Sequence, residues 1–526
     1  MSARLTTALA TFVVGVSIVV SGCAASSGAP PAHARQASKS IPQNVLTEAY
    51  PKDFTNLDPA AAFASENDIL PEIYQTLTVF DVATGKLIPG LATSWSDSSG
   101  GTVWTFHLRT HVKFQDGEPL TATAVRLSYE RTKQLNQGAA FLLANVTAIT
   151  AINRLTVQVT LSTPTPFATY AAGEYAMYIV SPESATEPTT WFQNGHGFGT
   201  GPYEWVSYKH EQSAILKRFP GYWGGWHAGQ FTRIVFDITP NSTTRAQEVA
   251  SGQAQLTFNL TLQTLRNFAK RKTLKVVPLN IQGIQYMEYN TKRPPLNNPL
   301  VRQALTYAFP EEQIAKTIYG KYGTQNSTSY IPKGLYGYTT SLKGYSFDLS
   351  KARSLLAQAG YPHGGFTINY AYLTAYPEQL LLTELWKTEL AKLGVTLDIQ
   401  TISFNALIAS IGSPLTAADS QMEYWFPSYP GPLDFIGSMF TSTGGGNIAF
   451  WGNPQVDSLF AQATRASIND QAAARADLIA MQRILFANVP GFPVVDEPET
   501  FVASSSITGF KDLGFGMDLY NLRTKQ

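Results

Sequence analysis

Few side chains in this sequence stand where catalysis would need them. His107 and His111 have the spacing of a metal-binding pair, yet one falls on an alternating strand and the other in the turn after it, with no helix and no intervening glutamate. Zinc is not expected. Cys23 is the only cysteine, so neither an internal disulfide nor a thiolate cluster can form. Gly195, Gly197, Gly199 and Gly201 imitate a phosphate loop, but Pro202 takes the last glycine position of G-x-G-x-x-G, and a loop entering a strand fits better. No G-x-S-x-G elbow occurs. Asp496, Glu497 and Glu499 could be paired catalytic carboxylates but read as a solvated loop. No enzyme activity, metal or cofactor is therefore expected. What remains is binding chemistry. Tyr376, Trp425 and Phe426 can stack on an organic solute or fill a core, and Asn290 and Asn447 can hydrogen-bond its amides or satisfy local backbone.

The composition suits a binder of small molecules. Of 526 residues, 12% are aromatic and only 14% charged, and Lys plus Arg against Asp plus Glu is 38 against 37. A balance of +1 gives no field for a phosphate backbone, so nucleic acid is excluded as a partner. Arg4 is followed by an uncharged stretch from Leu5 to Val20, too short to span a bilayer comfortably and suited to a signal peptide. Val20-Ser21-Gly22-Cys23 then resembles a bacterial lipobox, which makes Cys23 the expected lipidation site and the outer face of the cytoplasmic membrane the expected location. Several acyl chains at about 0.8 kcal/mol per buried methylene would hold a soluble domain there. The small, Pro-containing stretch 24–44 has the composition of a tether.

The elements that must position the binding residues change character along the chain. Val103, Thr105 and His107 alternate with Trp104, Phe106 and Leu108 as a strand, and further alternating runs near 155–159, 214–216 and 231–236 make the first half strand-rich. After about residue 290, helices appear: Asn298 caps one with Pro299 at its first position, and Asp348 begins another that Gly360 ends. Phe366, Ile368 and Tyr370 alternate, a helix runs from about Glu378 to Leu393, and Val395, Leu397 and Ile399 alternate again. That is a βαβ unit, which predicts a sheet covered by helices. Ligands of open α/β sheets gather at the carboxyl ends of strands. Here those ends lead into the loop with Tyr372 and Tyr376 and into the stretch after Tyr424.

Ordered strings in this chain resemble the family 5 extracytoplasmic solute-binding proteins, the oligopeptide-, dipeptide- and nickel-binding lipoproteins of ABC importers. They include Leu57-Asp58-Pro59, Pro89-Gly90-Leu91-Ala92, Trp104-Thr105-Phe106-His107-Leu108-Arg109 and Val112-Lys113-Phe114-Gln115-Asp116-Gly117. Gly199-Thr200-Gly201-Pro202-Tyr203, Gly221-Tyr222-Trp223, Tyr289-Asn290-Thr291, Val301-Arg302-Gln303-Ala304-Leu305 and Trp451-Gly452-Asn453-Pro454 follow in the family's order.

The resemblance implies an α/β, two-lobed, periplasmic-binding-protein-like type II fold of the large cluster C type, with an extra subdomain inserted in lobe I. Residues 1–22 would be the signal peptide and 23–44 the lipidated tether. Lobe I would cover 45–284 with the insertion at about 75–175, lobe II 285–496, and a return segment 497–526 would complete lobe I. The implied partners are a small solute, oligopeptide first, and the permease subunits of an ABC importer, with the receptor a monomer. By analogy with peptide-binding members, Ala62-Phe63-Ala64 and Tyr424 to Ser428 would face the ligand, which puts Phe63, Ala64, Tyr424 and Ser428 among the site residues with Tyr376, Trp425, Phe426, Asn290 and Asn447.

One departure bears on specificity. Oligopeptide binders commonly carry an Asp, three residues after the match to Trp425, that pairs with the peptide's ammonium, and here the position is Ser428. Glu423 or Asp434 would have to substitute. A non-peptide solute (oligosaccharide, modified peptide or metal chelate) is thus the alternative within the class. A surface hydrolase and an adhesive lipoprotein are the alternatives outside it. Where the family usually has Ala-Asp-Val opening a helix, this chain has Thr123-Ala124-Val125.

Overall fold

The structure is a computed structural model that describes residues 44–63, 66–279, 282–373, 376–496 and 499–525. Cys23, Ala64 and Glu497 lie outside the described residues, as do the signal peptide and nearly all of the tether.

Two large sheets organise the body. The first has seven strands, ordered Leu274–Leu279, Glu499–Ser504, Leu256–Thr257, Val45–Tyr50, Arg233–Ile238, Ser213–Arg218 and Tyr203–Lys209. Val45–Tyr50 runs parallel to both of its neighbours, while Glu499–Ser504 enters antiparallel from the far end of the chain. The second has six strands, ordered Thr324–Gln325, Gly491–Asp496, Ile284–Tyr289, Ser420–Trp425, Phe366–Leu373 and Val395–Ile402. A four-stranded antiparallel sheet, Ala92–Ser98, Val103–Leu108, Thr156–Leu161 and Val146–Asn153, stands beside them.

Local chemistry explains the elements the sequence announced. Asn298 accepts from the Leu300 N–H with Pro299 starting the helix Pro299–Tyr307, and Asp348 accepts from the Lys351 N–H ahead of Leu349–Gln358. The βαβ unit is Phe366–Leu373, the helix Pro377–Ala391 and Val395–Ile402, with the two strands parallel. The sheet around it is mixed, because Ile284–Tyr289 pairs antiparallel on both sides. At Ala124 the missing family Asp costs no cap: Thr121 accepts from the Ala124 N–H and opens Ala122–Leu135.

Several family strings turn out to hold elements together. Asp58 makes a bidentate pair with Arg131 at 2.7 and 2.6 Å, fully buried, tying the Leu57-Asp58-Pro59 loop to the helix Ala122–Leu135. The Gln115 side chain donates to the Tyr203 carbonyl at 2.7 Å and accepts from the Gly199 N–H at 2.8 Å. A Cβ on Gly199 would lie 1.9 Å from the Ile73 carbonyl oxygen, so these glycines serve close backbone approach at the entry to the strand Tyr203–Lys209, and phosphate has no part in it.

Candidate ligand-binding site

A cavity of about 310 Å³ opens where the ends of the two large sheets face each other. One wall comes from the carboxyl ends of parallel strands in the seven-stranded sheet. Tyr50 and Lys52 follow Val45–Tyr50, and Phe258 follows Leu256–Thr257. Asp68, Glu499 and Arg266 add charge to this side. The other wall is aromatic. Tyr376 precedes the helix Pro377–Ala391 and stacks on Tyr424 at the end of Ser420–Trp425, with centroids 5.9 Å apart and planes 10° apart. Tyr424 in turn meets Phe426 at 4.4 Å. Gly283 makes room for this: a Cβ there would stand 2.6 Å from the Tyr424 ring. Tyr319, whose hydroxyl donates to Gln285 Oε1 at 2.9 Å, and Glu378 complete the wall.

Burial sets the electrostatics. It pushes the Asp68 carboxyl up to about 6, against the opposing pull of the Met517 N–H, Lys52 and the Tyr50 hydroxyl. It likewise pushes Glu378 up to about 7. Flat aromatic surface with charges of both signs is suited to holding a polar organic solute by stacking and ion pairing. Among the described residues no group of three or more His, Cys, Asp or Glu side chains is placed to hold a metal.

Of the residues singled out in the sequence, the structure brings Tyr376, Tyr424 and Phe426 to the cavity. The others serve elsewhere. Trp425 points into the core and donates Nε1–H to Asp434 Oδ2 at 3.0 Å. Ser428 is buried and gives its N–H to the same oxygen at 2.8 Å. Asn290 donates to the Pro414 carbonyl at 2.8 Å and accepts from the Lys292 N–H. Asn447 donates to the Thr441 carbonyl at 2.9 Å and accepts from the Trp451 N–H. Both asparagines are spent on backbone groups, Asn447 within its own turn and Asn290 on its own turn through Oδ1 and on a distant segment through its amide. Phe63 packs edge-on against Phe141 and lies back from the cavity; Ala64 is outside the described residues.

The two carboxylates considered as replacements for the missing Asp do not face the cavity. Asp434 is fully buried and its oxygens accept from Trp425, Ser428 and Ser438. Glu423 shares the opposite face of its strand with Trp425, away from Tyr424. Asp496 and Glu499 are no solvated pair either. Asp496 accepts from Asn326 Nδ2 and the Lys333 N–H, and Glu499 lines the cavity.

The model of bacterial extracellular solute-binding proteins, family 5 Middle, matches residues 86–447. The chain belongs to this family. The glutathione-binding protein GsiB of Escherichia coli K12 is 29% identical over 510 residues, covering 93% of this chain and 96% of that one. A dipeptide-binding protein from Pseudoalteromonas sp. SM9913, solved with Met-Leu, superposes with a TM-score of 0.81 at 25% identity, covering 91% of this chain and 100% of that one. NikA from Staphylococcus aureus, solved with Ni(L-His)2, shares the fold with a TM-score of 0.80 at 19% identity, over 92% and 100% of the two chains. The fold is accordingly the two-lobed type II architecture of cluster C, and this family 5 member is a solute-binding receptor of an ABC importer rather than an enzyme.

Sequence reasoning missed the first wall of the receptor's cavity. In the second half of the chain, the rule that ligands gather at the carboxyl ends of strands leads to the loop with Tyr376 and to the stretch after Tyr424. Applied to Val45–Tyr50 and Leu256–Thr257, it points to Tyr50, Lys52 and Phe258. Asp68, Arg266 and Glu499 arrive from segments with no such signal.

Proposed function

We propose that this receptor captures a short peptide or a peptide-like solute in the cavity between its lobes and hands it to the importer's permease, working as a monomer anchored at the outer membrane face by lipid on Cys23. Lobe I would comprise 45–284 and 497–526, with its insertion at about 75–175, and lobe II 285–496. The cavity carries this reading. Its volume of about 310 Å³ lies at the lower end of the roughly 300–1,000 Å³ of small-molecule sites, which favours a di- or tripeptide-sized guest over a long oligopeptide. Relatives that bind glutathione and Met-Leu have guests of that size.

Titration calorimetry of the mature chain against pools of di- and tripeptides tests it, with saturable binding as the expected result. Ser428, buried and without a carboxylate facing the cavity beside it, favours a second reading, a solute that lacks a free amino terminus. Binding of a neutral glycan or a metal chelate with none of any peptide would establish that one. For the anchor, Cys23→Ser should move the protein from the membrane fraction to the soluble exported fraction; unchanged membrane retention refutes lipid attachment.

A further inference from the structure

The charged side chains that line the cavity among the described residues are Lys52, Asp68, Arg266, Glu378 and Glu499. Asp68 accepts from the Met517 N–H at 3.2 Å and from the Tyr50 hydroxyl, and the Lys52 charge acts on it. Lys52 and Glu499 have interactions of their own. That leaves Arg266 on the first wall and Glu378 on the aromatic one. Among the described residues the Arg266 guanidinium has no hydrogen bond and no ion pair, and the Glu378 carboxyl has only the N–H of its own residue.

Helix spacing turns both side chains toward the cavity. Arg266 stands four residues after Leu262 on the helix Leu262–Phe268, Glu378 stands three before Leu381 on the helix Pro377–Ala391, and all four line the cavity. Gly320, at a φ of +59°, keeps space for the guanidinium: a Cβ there would lie 3.4 Å from Arg266 Nη2 and 3.2 Å from both Leu262 methyl carbons. Burial holds the Glu378 carboxyl up to about 7, and no positive charge opposes it.

An acid and a base free to meet would gain by closing on each other. These two form no ion pair, and the cavity lies between the walls that carry them. A guest charged at both ends answers each of them. Its protonated amine gives Glu378 a counter-charge in a desolvated wall, and its carboxylate takes the guanidinium fork in a charge-assisted pair. A guest with one charge leaves one of the two unanswered.

We infer that Glu378 and Arg266 are the charge-reading residues of this cavity, and that the receptor's solute is a zwitterion with its amine docked at Glu378 and its carboxylate at Arg266. Glu378 would thus supply, from a different element, the ammonium contact that Ser428 cannot make. The inference rests on the receptor reading above and names the charge layout of the guest in that same cavity.

The test uses the mature chain with three probes, a pool of unmodified di- and tripeptides, the same pool N-acetylated and the same pool C-amidated, each read by calorimetry and by the rise in Tm. Wild type should bind the unmodified pool at least about tenfold more tightly than either blocked pool, the scale of a charge-assisted hydrogen bond. The variants should separate the two ends. The isosteric Glu378→Gln should erase the discrimination against the acetylated pool and keep that against the amidated one. Arg266→Gln should do the reverse. A merely structural role for either residue would not produce this crossed pattern. Tyr424→Ala, which removes a ring and no charge, should weaken all three pools alike.

Equal binding of the three pools by wild type, or discrimination that survives both variants, overturns the two charge-reading residues and leaves the receptor reading standing. No Tm rise with any peptide pool, together with binding of a neutral glycan, overturns both.

Discussion

Trp425 and Tyr424 are adjacent in sequence and opposite in role, because successive side chains of a strand point to opposite faces. Trp425 is buried against Gly446, whose missing Cβ would stand 2.7 Å from the indole, and its Nε1–H is one of three donors to Asp434. Trp425→Ala should therefore cost about 3–5 kcal/mol of stability, plus the loss of a donor to a buried carboxyl. Thermal unfolding should show a large fall in Tm with affinity lost alongside it. Tyr424→Ala should leave Tm nearly unchanged and weaken ligand binding at least about tenfold, as the loss of a stacking face in a binding site does. Equal Tm losses in the two variants would contradict the assignment of faces. The aromatic loops were legible in the sequence because strand alternation and the carboxyl-end rule lead to them. Which of two neighbouring rings faces the guest was not, since it depends on the register with Ile284–Tyr289: Ile284 faces Trp425, and Gln285 faces Tyr424.

Segments brought together from distant parts of the chain rest on small contacts here. The helix Phe167–Tyr170 brings Tyr170 onto Tyr429, with centroids 4.3 Å apart and the two hydroxyls hydrogen-bonded. Gly173 lets the Ser428 carbonyl approach, since a Cβ there would be 2.7 Å from that oxygen. If the cleft closes by bringing these segments together, the hydroxyl pair exists only in the closed state. Tyr170→Phe should then raise Kd about threefold to tenfold, the worth of one neutral hydrogen bond, with the Tm of unliganded protein unchanged. A lower Tm with Kd unaltered would mark the contact as permanent packing. Asp58 and Arg131 behave differently, being buried in a charged pair: Arg131→Ala should destabilise by about 3–5 kcal/mol with or without ligand, measured by denaturant unfolding.

At this scale the sequence was most readable where the signals are local. Asn298 and Asp348 announce helix starts, and the run from Phe366 to Ile399 announces a βαβ unit. Two-residue strands such as Leu256–Thr257 carry no periodicity of their own. The place of Glu499–Ser504 between Leu274–Leu279 and Leu256–Thr257 is set by pairing with partners more than 200 residues away.

Over the whole molecule, scarcity of charge is combined with an interior rich in acid. Burial holds Asp68, Asp434 and Asp496 up to about 6, Glu378 up to about 7 and Glu423 up to about 8, and it raises Glu48, Glu72, Glu174 and Glu288 as well. The unfolded chain would lose these protons near 4. Between those limits the folded state binds more protons than the unfolded one, so stability falls as pH rises. The contribution is fully present below about 4 and is lost as pH climbs through 6 to 8. With a formal net charge of +1, self-repulsion of the whole chain is small and does not compete.

Tm should accordingly be higher at pH 6 than at pH 8.5, and refolding at pH 7 should take up protons from the buffer. Glu423 is the sharpest probe. Its Oε2 has no hydrogen-bond partner among the described residues, and its charge is one of the causes that raise Glu288 beside it. Glu423→Gln removes an ionisation near 8 and eases that of Glu288. It should raise Tm at pH 8.5 and change it little at pH 6, flattening the upper limb of the profile. A Tm that climbs between pH 6 and 8.5, or a variant whose gain is the same at both, would mean that these carboxyls are already ionised in the folded protein and that the acid interior is solvated.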